Sequence, residues 1–535
     1  ERANGSDDRP AVAVCYLFSY LNPEHERATR AALEQAFPGL SVSLSNEVAP
    51  IWREYERGTT TIVDAYLKPL IDGYVDGVSE AIAAHTEAPW SLLKSNGGHV
   101  ISAEARARPS HLLLSGVAGG AIGGAYFARE MDAGRAIVLD MGGTSCDVCL
   151  IVDGEPLYGS DYEIEYGLPV SVPGVTTKTI GAGGGSIGRV DPGGFLQVGP
   201  QSAGARPGPA CYGQGGVEAT ITDANVVLGR LNPSFFLGGR IDLDPEASAA
   251  AVGILGDRLG LDGVQTASAM VRVANENMAN AIRIVTVEEG IDPREFAIIA
   301  CGGAGPAHAA EIADSLGIRR VLVPVNPGLC SAFGTVAAQV RVDAVKSVAL
   351  VAERTSGEVL EGLFSDLEEQ ARSDFARQGR SEEVTVRRSV ATRYQGQNYE
   401  QDIVVRDGPI DGSTLAAIVE GYHRLHEEFY GHRFDGIPVE LVRLAVVVAE
   451  LDAPLPAITV GGESVAAEEV AREVFFPGSG FLPAPIVGRQ GLGEATRRGP
   501  LIVESMDSTI VVPPEWTLSR GSSLTIELAR EAEGG

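Results

Sequence analysis

Cysteine, positive charge and long apolar runs are all scarce in this sequence. Six cysteines in 535 residues are too few for a disulfide-built scaffold, so we expect reduced thiols and a cytoplasmic protein. No apolar run approaches the roughly 18 residues of a membrane-spanning helix. Lysine and arginine number 42 against 71 acidic residues, a formal net charge of −29. Because this field repels polyanions, we expect neither nucleic acid nor membrane among the partners.

The chain does contain strand and helix patterns that alternate over its first third. This alternation predicts an α/β fold rather than a β-sandwich. Among the predicted elements are a helix after Asn22-Pro23 that runs to Phe37, a strand over His111–Leu114, and a long helix near 264–290. From residue 350 onward, short strand patterns separated by turn residues indicate a β-rich module.

The central stretch Arg135–Gly154 combines two apolar runs with a glycine turn. Its pattern predicts a strand ending at Asp140, a tight turn through Gly142, Gly143, Thr144 and Ser145, and a second strand. Glycine allows close approach to a ligand, and the hydroxyls and turn N–H groups supply donors, so the turn suits a phosphate. Asp140 can hold hydrated Mg²⁺ beside it. These features describe half of an ATP site, although an ordinary hairpin fits the pentapeptide equally well.

Two further glycine-rich stretches are candidate ligand loops. Thr179–Ser186, which contains Gly183 and Gly184, is a candidate cradle for a phosphate or substrate, but it matches neither a Walker loop nor the dinucleotide fingerprint. A strand, the loop Gly302, Gly303, Ala304 and Gly305, and a helix beginning at Pro306 form a second candidate, which can receive a nucleotide at the helix N-terminus. Thr222 is predicted to cap a helix that begins at Asp223.

Several stretches together resemble the A-type subunit of the hydantoinase/oxoprolinase family, within the actin, sugar-kinase and heat-shock-chaperone ATPase superfamily. The central motif DMGGTSCDV resembles that family's second phosphate motif. Other matching stretches follow in order along the chain: Cys15–Glu26, Glu54–Pro69, Thr179–Gly194, Val198–Gly213, Thr222–Pro233 and Cys301–Ala309.

The resemblance implies a two-lobed, actin-like (ribonuclease-H-like) ATPase with a β-rich C-terminal domain. We therefore expect domains at 1–130, 131–345 and 346–535. The superfamily carries a first phosphate hairpin near its N-terminus, and no Asp-x-Gly-Gly-Thr precedes Asp140. We accordingly expect the sequence to begin inside an incomplete first lobe.

The resemblance also implies ATP and Mg²⁺ as cofactors and a B-type subunit as partner. Asp140 would be the catalytic and Mg²⁺-binding residue, Gly142–Ser145 with Gly183 and Gly184 would hold phosphates, and Gly302–Gly305 would form the adenosine motif. The expected reaction is phosphorylation of the carbonyl oxygen of a cyclic amide, such as a hydantoin, oxoproline or lactam, before hydrolysis. A carboxylase subunit that phosphorylates a ketone enolate is the alternative within the family.

Two other classes of function are also considered. One is a nucleotide-binding scaffold without turnover, which the missing first hairpin suggests. The other is a metal-dependent amidohydrolase using His423, His426 and His432, whose spacing does not match a zinc protease. Solvated helix histidines are the preferred interpretation of those three, and His308 is expected to be polar lining rather than a base.

Overall fold

The structure is a computed structural model that describes residues 10–165, 167–379, 383–451, 470–521 and 525–531. The chain forms two compact units, each assembled from three separated segments. The first takes its described residues from Glu1–Ala118, Tyr158–Gly174 and Ala338–Pro454, and the second from Gly119–Leu157, Val175–Ala337 and Leu455–Gly535. The division into three consecutive domains stays a prediction.

The elements show a mixed α/β protein. The first are β1 (Ala11–Val14), α1 (Glu24–Ala36), β2 (Ser41–Leu44), α2 (Ser45–Val48), α3 (Glu54–Ala83), β3 (Leu92–Leu93), β4 (His99–Val100), α4 (Ser102–Ala107) and α5 (Ser115–Glu130). Then come β5 (Ala136–Met141), β6 (Cys146–Val152), β7 (Glu155–Pro156), β8 (Tyr158–Glu165), β9 (Leu168–Val175), β10 (Thr177–Ile180), β11 (Ser186–Val190), β12 (Leu196–Ser202) and α6 (Ile221–Val227).

The second half continues the mixture. It begins with α7 (Pro245–Leu259), α8 (Gly263–Glu288), β13 (Ala297–Cys301), α9 (Gly305–Leu316), β14 (Arg320–Val323), α10 (Cys330–Ala337), β15 (Arg341–Val351) and α11 (Gly357–Ala376). It ends with β16 (Val384–Tyr394), β17 (Gln401–Val405), α12 (Gly412–Tyr430), β18 (Val439–Glu450), β19 (Val470–Phe476), β20 (Gly480–Gly488), β21 (Arg497–Arg498), β22 (Leu501–Glu504), β23 (Thr509–Val512), β24 (Trp516–Arg520) and β25 (Ile526–Arg530).

The largest sheet lies in the second unit, with the strand order β10-β6-β5-β13-β14-β25-β24-β21. Strands β5 and β6 pair antiparallel, as the central hairpin predicts. Strand β13 pairs parallel with β5, in a register that sets Cys301 opposite Asp140. Because parallel strands end at the same edge of a sheet, the chain leaves β5 and β13 side by side into the two predicted loops.

Helix α8 supplies much of the core of this unit. Met270, Ala274, Met278, Ile282 and Val285 are buried at helical spacing. They belong to one cluster with the apolar residues of β5, β6 and β13. The helix predicted near 264–290 is therefore confirmed as a core element.

The first unit contains a smaller antiparallel sheet of order β15-β18-β16-β17, against which α11 packs. Its alternating strand β18 buries Val439, Leu441, Leu444, Val446 and Val448. Near the N-terminus β1 and β2 pair parallel. Most elements after residue 350 in the described parts of both units are β-strands, which confirms the predicted β-rich character.

The strand predicted over His111–Leu114 is wrong. Residues Pro109–Leu112 form a single 3-10 turn, and α5 begins three residues later, at Ser115. Contacts with Asp64 and Ser95 rather than a neighbouring strand satisfy this backbone. Ser110 N–H donates to the Asp64 carboxylate, and both the N–H and the hydroxyl of Ser95 donate to the His111 carbonyl. The helix predicted after Asn22 is confirmed as α1. No helix within the described ranges combines the length and apolar character needed to cross a membrane.

Small residues let α5 approach α10 closely. A Cβ added at Gly119 would lie 2.6 Å from the Ser331 carbonyl oxygen, too close for any side chain. At Gly116, three residues earlier in the same helix, a Cβ would meet nothing within 4 Å. The glycines of α5 therefore differ in what they contribute to packing.

Exchanging these two glycines for alanine gives a matched test of this contact. Gly119→Ala should destabilise the protein by about 1–3 kcal/mol, because backbone cannot yield to the added methyl group. Gly116→Ala should be neutral or stabilising by up to about 1 kcal/mol, since alanine favours the helix. Urea midpoints of the two variants measure the difference. Equal midpoints would show that the helices separate without cost.

Candidate functional site

The β5–β6 turn presents backbone donors that the protein itself does not use. Gly142 N–H donates to the Ser145 carbonyl at 3.0 Å and closes the turn. Across the described ranges, no acceptor bonds the N–H groups of Gly143, Thr144 or Ser145. Gly143 and Thr144 are exposed. Three successive unpaired amides at one turn can receive an anion.

Asp140 lies at the end of β5, directly before this turn. Its Oδ2 accepts a hydrogen bond of 2.9 Å from the Ser331 hydroxyl. Burial raises the pKa of Asp140; the Ser331 hydrogen bond opposes this rise, and the charge of Asp147 adds to it. A Cβ at Gly302 would lie 2.7 Å from Oδ1, so glycine is what admits the carboxylate to this position.

The glycine run after β10 is bound to the turn through its backbone. Gly184 N–H donates to the Gly142 carbonyl at 3.0 Å, and Gly185 N–H donates to the Gly143 carbonyl at 2.7 Å. Gly183 N–H donates to the Ser186 hydroxyl. A Cβ at Gly183 would lie 2.6 Å from the Thr144 nitrogen. The glycine run therefore holds the β5–β6 turn through the carbonyls of that turn. The amides of Gly183, Gly184 and Gly185 are all used in bonds within the protein.

Helix α6 fixes the other side of this run, but its cap differs from the predicted one. Thr220, not Thr222, caps the helix: its hydroxyl accepts from Asp223 N–H, and Asp223 accepts from Thr220 N–H in return. Thr222 instead donates from its N–H and its hydroxyl to the Gly184 carbonyl, both at 2.8 Å. The capping residue lies two positions earlier because Thr222 is occupied by this contact.

The buried Asp223 carboxylate organises the chain before α6. It accepts hydrogen bonds from the N–H groups of Ala210, Cys211 and Thr220 and from the hydroxyls of Thr220 and Ser248. With five donors in place it has no position left for a ligand. Asp223 is therefore an orienting residue.

The β13–α9 loop follows the sequence prediction in its outline. Gly302 has φ +77°, its N–H donates to the Pro327 carbonyl, and Ala304 N–H donates to the Met141 carbonyl at 3.1 Å. Helix α9 then begins at Gly305 with Pro306 in its first turn. The loop is thereby tied to the end of β5, beside the turn.

A cleft that is open to solvent brings part of the predicted site together. Five predicted residues line it: Gly142, Gly143, Gly184, Gly303 and Ala304. The other six predicted residues are adjacent in sequence to these but do not line the cleft: Asp140, Thr144, Ser145, Gly183, Gly302 and Gly305. The β5–β6 turn and both predicted glycine loops therefore contribute residues to one cleft.

Sequence reasoning missed the opposite wall of the cleft. Phe235, Phe236, Leu237 and Met506 give it an apolar surface. Leu237 is 42% exposed and Met506 is 57% exposed, so this surface has no full cover within the protein. The apolar run Phe235–Leu237 between Pro233 and Gly238 was the available signal, but nothing in the sequence connects it to Met506, which is distant along the chain.

Two polar atoms on the cleft lining are buried and have no hydrogen-bond partner within the described structure. They are Asn225 Oδ1 and Ser505 Oγ. Buried polar atoms without partners are costly and uncommon, and in a ligand cleft they mark positions where a ligand donor or acceptor fits.

His308 lines the same cleft as a neutral side chain. It is fully buried, its Nδ1 lies 2.7 Å from Asn275 Oδ1, and its Nε2 lies 3.1 Å from Asn225 Nδ2. Burial, together with the charge of Arg230, lowers the pKa of His308 to about 3. Both ring nitrogens are occupied, so the expectation of polar lining is confirmed.

The C-terminal histidines are not uniformly solvated. His426 is buried and its Nδ1 bonds the His432 carbonyl, while His423 Nδ1 lies 2.6 Å from the Tyr394 hydroxyl. The prediction of solvated histidines is therefore wrong for His426, whose ring packs in an aromatic cluster. The described residues contain no group of three His, Cys, Asp or Glu side chains suited to a metal.

Comparison with known proteins gives consistent relatives. The profile of the hydantoinase/oxoprolinase family matches residues 57–344. The caprolactamase alpha subunit of Pseudomonas jessenii is 35% identical over 534 residues, which is 97% of this chain and 76% of that protein.

Two solved structures match almost the whole chain. The ATP-dependent caprolactamase of Pseudomonas jessenii superposes with a TM-score of 0.83 at 32% identity, covering 97% of this chain and 77% of that one. A nucleotide-free acetone carboxylase superposes with a TM-score of 0.75 at 25% identity, covering 97% and 76%. On the family profile and on the extent of these matches, the chain belongs to the hydantoinase/oxoprolinase family as an A-type subunit.

Proposed function

We propose that this chain is the ATP-hydrolysing subunit of a cyclic-amide hydrolase that acts with a B-type partner subunit. One observation carries the proposal: the turn with three unpaired amides and the β13–α9 glycine loop leave neighbouring strand ends, and residues of both line one cleft. The similarity to an ATP-dependent caprolactamase over nearly the whole chain supports it.

Hydrolysis of a lactam is slow unless its carbonyl group is activated, and ATP can provide that activation. Resonance makes an unstrained lactam carbonyl resistant to water. In the proposed step the carbonyl oxygen attacks the γ-phosphorus of ATP, a new P–O bond forms, and the bond to the ADP oxygen breaks. Water then adds to the phosphorylated carbon, and the ring C–N bond breaks as the nitrogen takes a proton. Hydrolysis of the resulting acyl phosphate releases phosphate and the open-chain acid. Such transfers depend on positioning and charge neutralisation, which the turn amides of Gly143, Thr144 and Ser145 are suited to provide.

Asp140 fits the role of a magnesium ligand. Mg²⁺ is commonly held by one or two carboxylates, with water and substrate phosphates completing its shell. Asp140 offers one carboxylate, oriented by Ser331 and next to the unpaired amides, in a protein that otherwise repels anions. When bound, Mg²⁺ would neutralise phosphate charge. The residue's own part is to hold a fixed, ionised oxygen beside the turn.

The proposed fold assignment is an actin-like, ribonuclease-H-like ATPase. Its support is the mixed sheet in which the β5–β6 hairpin continues into parallel β13 and β14. We also propose a carboxylase subunit acting on a ketone enolate as the alternative, because the acetone carboxylase structure covers the same 97% of this chain. The two functions share the phosphoryl-transfer step and differ in the acceptor.

Phosphate release distinguishes the acceptors. The encoded protein, alone and with its B-type partner, is incubated with Mg-ATP and separately with lactams, hydantoins, 5-oxoproline and ketones. We expect release that depends on one cyclic amide and on the partner. Asp140→Asn should reduce it by at least about 100-fold, because it removes a charge that acts on the transferred group.

The control for this experiment is Asp257→Asn, which changes an exposed carboxylate near the end of α7, in the same unit and outside the cleft lining. Its phosphate release should stay within a few-fold of wild type. Release stimulated by ketones would favour the carboxylase. Nucleotide binding with no release for any acceptor would contradict catalysis and favour a scaffold.

Replacing Ser331 should change the pH dependence of the activity and not only its rate. Its hydroxyl lowers the pKa of Asp140, so Ser331→Ala should raise that pKa further above the usual value of a carboxyl group. Because the ionised form is required, activity should then be lost at a higher pH as the medium is acidified. The acidic limb of the pH–rate profile measures this shift.

Thr335→Val is the matched control for this variant. The Thr335 hydroxyl lies one turn further along α10 and donates to the Ser331 carbonyl, not to Asp140. Its acidic limb should coincide with that of wild type. An unchanged limb in Ser331→Ala would remove Asp140 from the ionisation that controls activity.

A further inference from the structure

A chain of hydrogen bonds runs through the second unit and ends at the cleft. It starts at Arg230, whose buried guanidinium pairs with the Glu311 carboxylate. Asn275 Nδ2 donates to Glu311 Oε2 at 2.7 Å, and Asn275 Oδ1 faces His308 Nδ1 at 2.7 Å. Asn225 Nδ2 lies 3.1 Å from His308 Nε2. Asn225 Oδ1 is left over, on the cleft lining.

The Glu311 carboxylate determines which atom donates and which accepts in each following hydrogen bond. Glu311 can only accept, so Asn275 has to turn its amide nitrogen toward it and its oxygen toward His308. The neutral ring of His308 then donates from Nδ1 and accepts at Nε2. Asn225 therefore has to present its nitrogen to the ring. Its oxygen is left as an acceptor without a donor, in a residue that lines the ligand cleft.

Leaving Asn225 Oδ1 buried without a hydrogen bond costs free energy, which is a reason to expect a ligand donor at this position. Asn225 is only 3% exposed, so its unpaired Oδ1 is nearly cut off from water. Rotating the amide would not relieve it, because the amide nitrogen would then lose His308 and two acceptors would face each other. A donor on a molecule bound in the cleft would satisfy it.

We propose that Asn225 is the specificity-determining residue that accepts a hydrogen bond from the amino group of the nucleotide base. The proposal rests on the ATP-dependent function proposed above. The cleft offers an apolar wall of Phe235, Phe236 and Met506 for a flat ring and the loop Gly303-Ala304 for close approach. Adenine carries an exocyclic amino donor, whereas hypoxanthine carries a carbonyl oxygen at the same position, which would oppose Oδ1.

The arrangement makes Glu311, Asn275 and His308 positioning residues. They connect Arg230 to Asn225, and each fixes the orientation of the next. Their effect on nucleotide binding should therefore appear in the choice of base, and not only in overall affinity.

Binding of nucleotide analogues to the wild-type protein is the first test. The probes are ATP, ITP and purine riboside triphosphate, each with Mg²⁺, measured by calorimetry. We expect ITP and the purine analogue to bind roughly 10- to 100-fold more weakly than ATP, as expected when a buried acceptor is left without its donor. Equal affinity for ATP and ITP would overturn the proposal.

Two variants test the residue and the chain behind it. Asn225→Ala should bring the ATP/ITP affinity ratio to within about threefold of one, since the acceptor is gone. Glu311→Gln removes the constraint on direction, because an amide can donate as well as accept; the chain can then reverse and the ratio should shift toward ITP. A merely structural role for Glu311 would lower both affinities and leave the ratio unchanged.

Asn232 is the matched control. It lines the same cleft, but its amide is already satisfied: Nδ2 donates to Glu504, and Oδ1 accepts from Ser234. Asn232→Ala should keep the wild-type ATP/ITP ratio. A ratio that changes as much as in Asn225→Ala would overturn the assignment to Asn225.

The analogue series also separates this proposal from the proposed function. If no nucleotide binds, the ATP-dependent function fails, and this proposal fails with it. If ATP and ITP bind alike and both support phosphate release, the function stands and the role of Asn225 is overturned. If Asn225→Ala instead weakens a lactam but not its N-methyl derivative, the orphan acceptor serves the substrate rather than the base, which also overturns the proposal.

Discussion

The parallel pairing of β5 with β13 is the constraint on which the candidate site depends. Its register aligns Asp140 with Cys301, so two loops that are distant in sequence leave the sheet at neighbouring points. Both strands are buried on their two faces, so a shift of register by one residue would place every side chain against the wrong neighbours and offset the two loops. The buried residues of β5, β13 and α8 belong to one core, which holds that register.

Close backbone contact is the second requirement, and glycine provides it. Gly183 lies against Thr144, Gly302 lies against Met141 and the Asp140 carboxylate, and Gly119 lies against Ser331. At each of these positions a single added carbon would meet backbone or a charged oxygen. Glycine is therefore required at these three positions, two of which adjoin the β5–β6 turn and Asp140.

Local sequence patterns predicted the parts of the site but not their arrangement. The hairpin, α8 and the β13–α9 segment are marked by apolar periodicity and glycine, and the structure contains all three. The prediction of a strand over His111–Leu114 failed because Asp64 and Ser95, which lie earlier in the chain, supply hydrogen-bond partners to that backbone. The same limit applies to the site: Met506 and Phe235 meet across one cleft, and Asn225 acquires its orientation from Glu311, through contacts that have no signature within any one stretch of sequence.

The hydrogen bonds that hold the β5–β6 turn also affect how the turn would interact with an anionic ligand. The carbonyls of Gly142 and Gly143 are already engaged by Gly184 and Gly185, so these two peptide planes cannot rotate freely. The N–H groups on the outer side of the turn then point outward before any ligand arrives. Water around a free anion has to reorganise as charge moves, whereas dipoles fixed in this way do not. The turn is thus an electrostatically preorganised surface, and the glycine run behind it is what keeps it so.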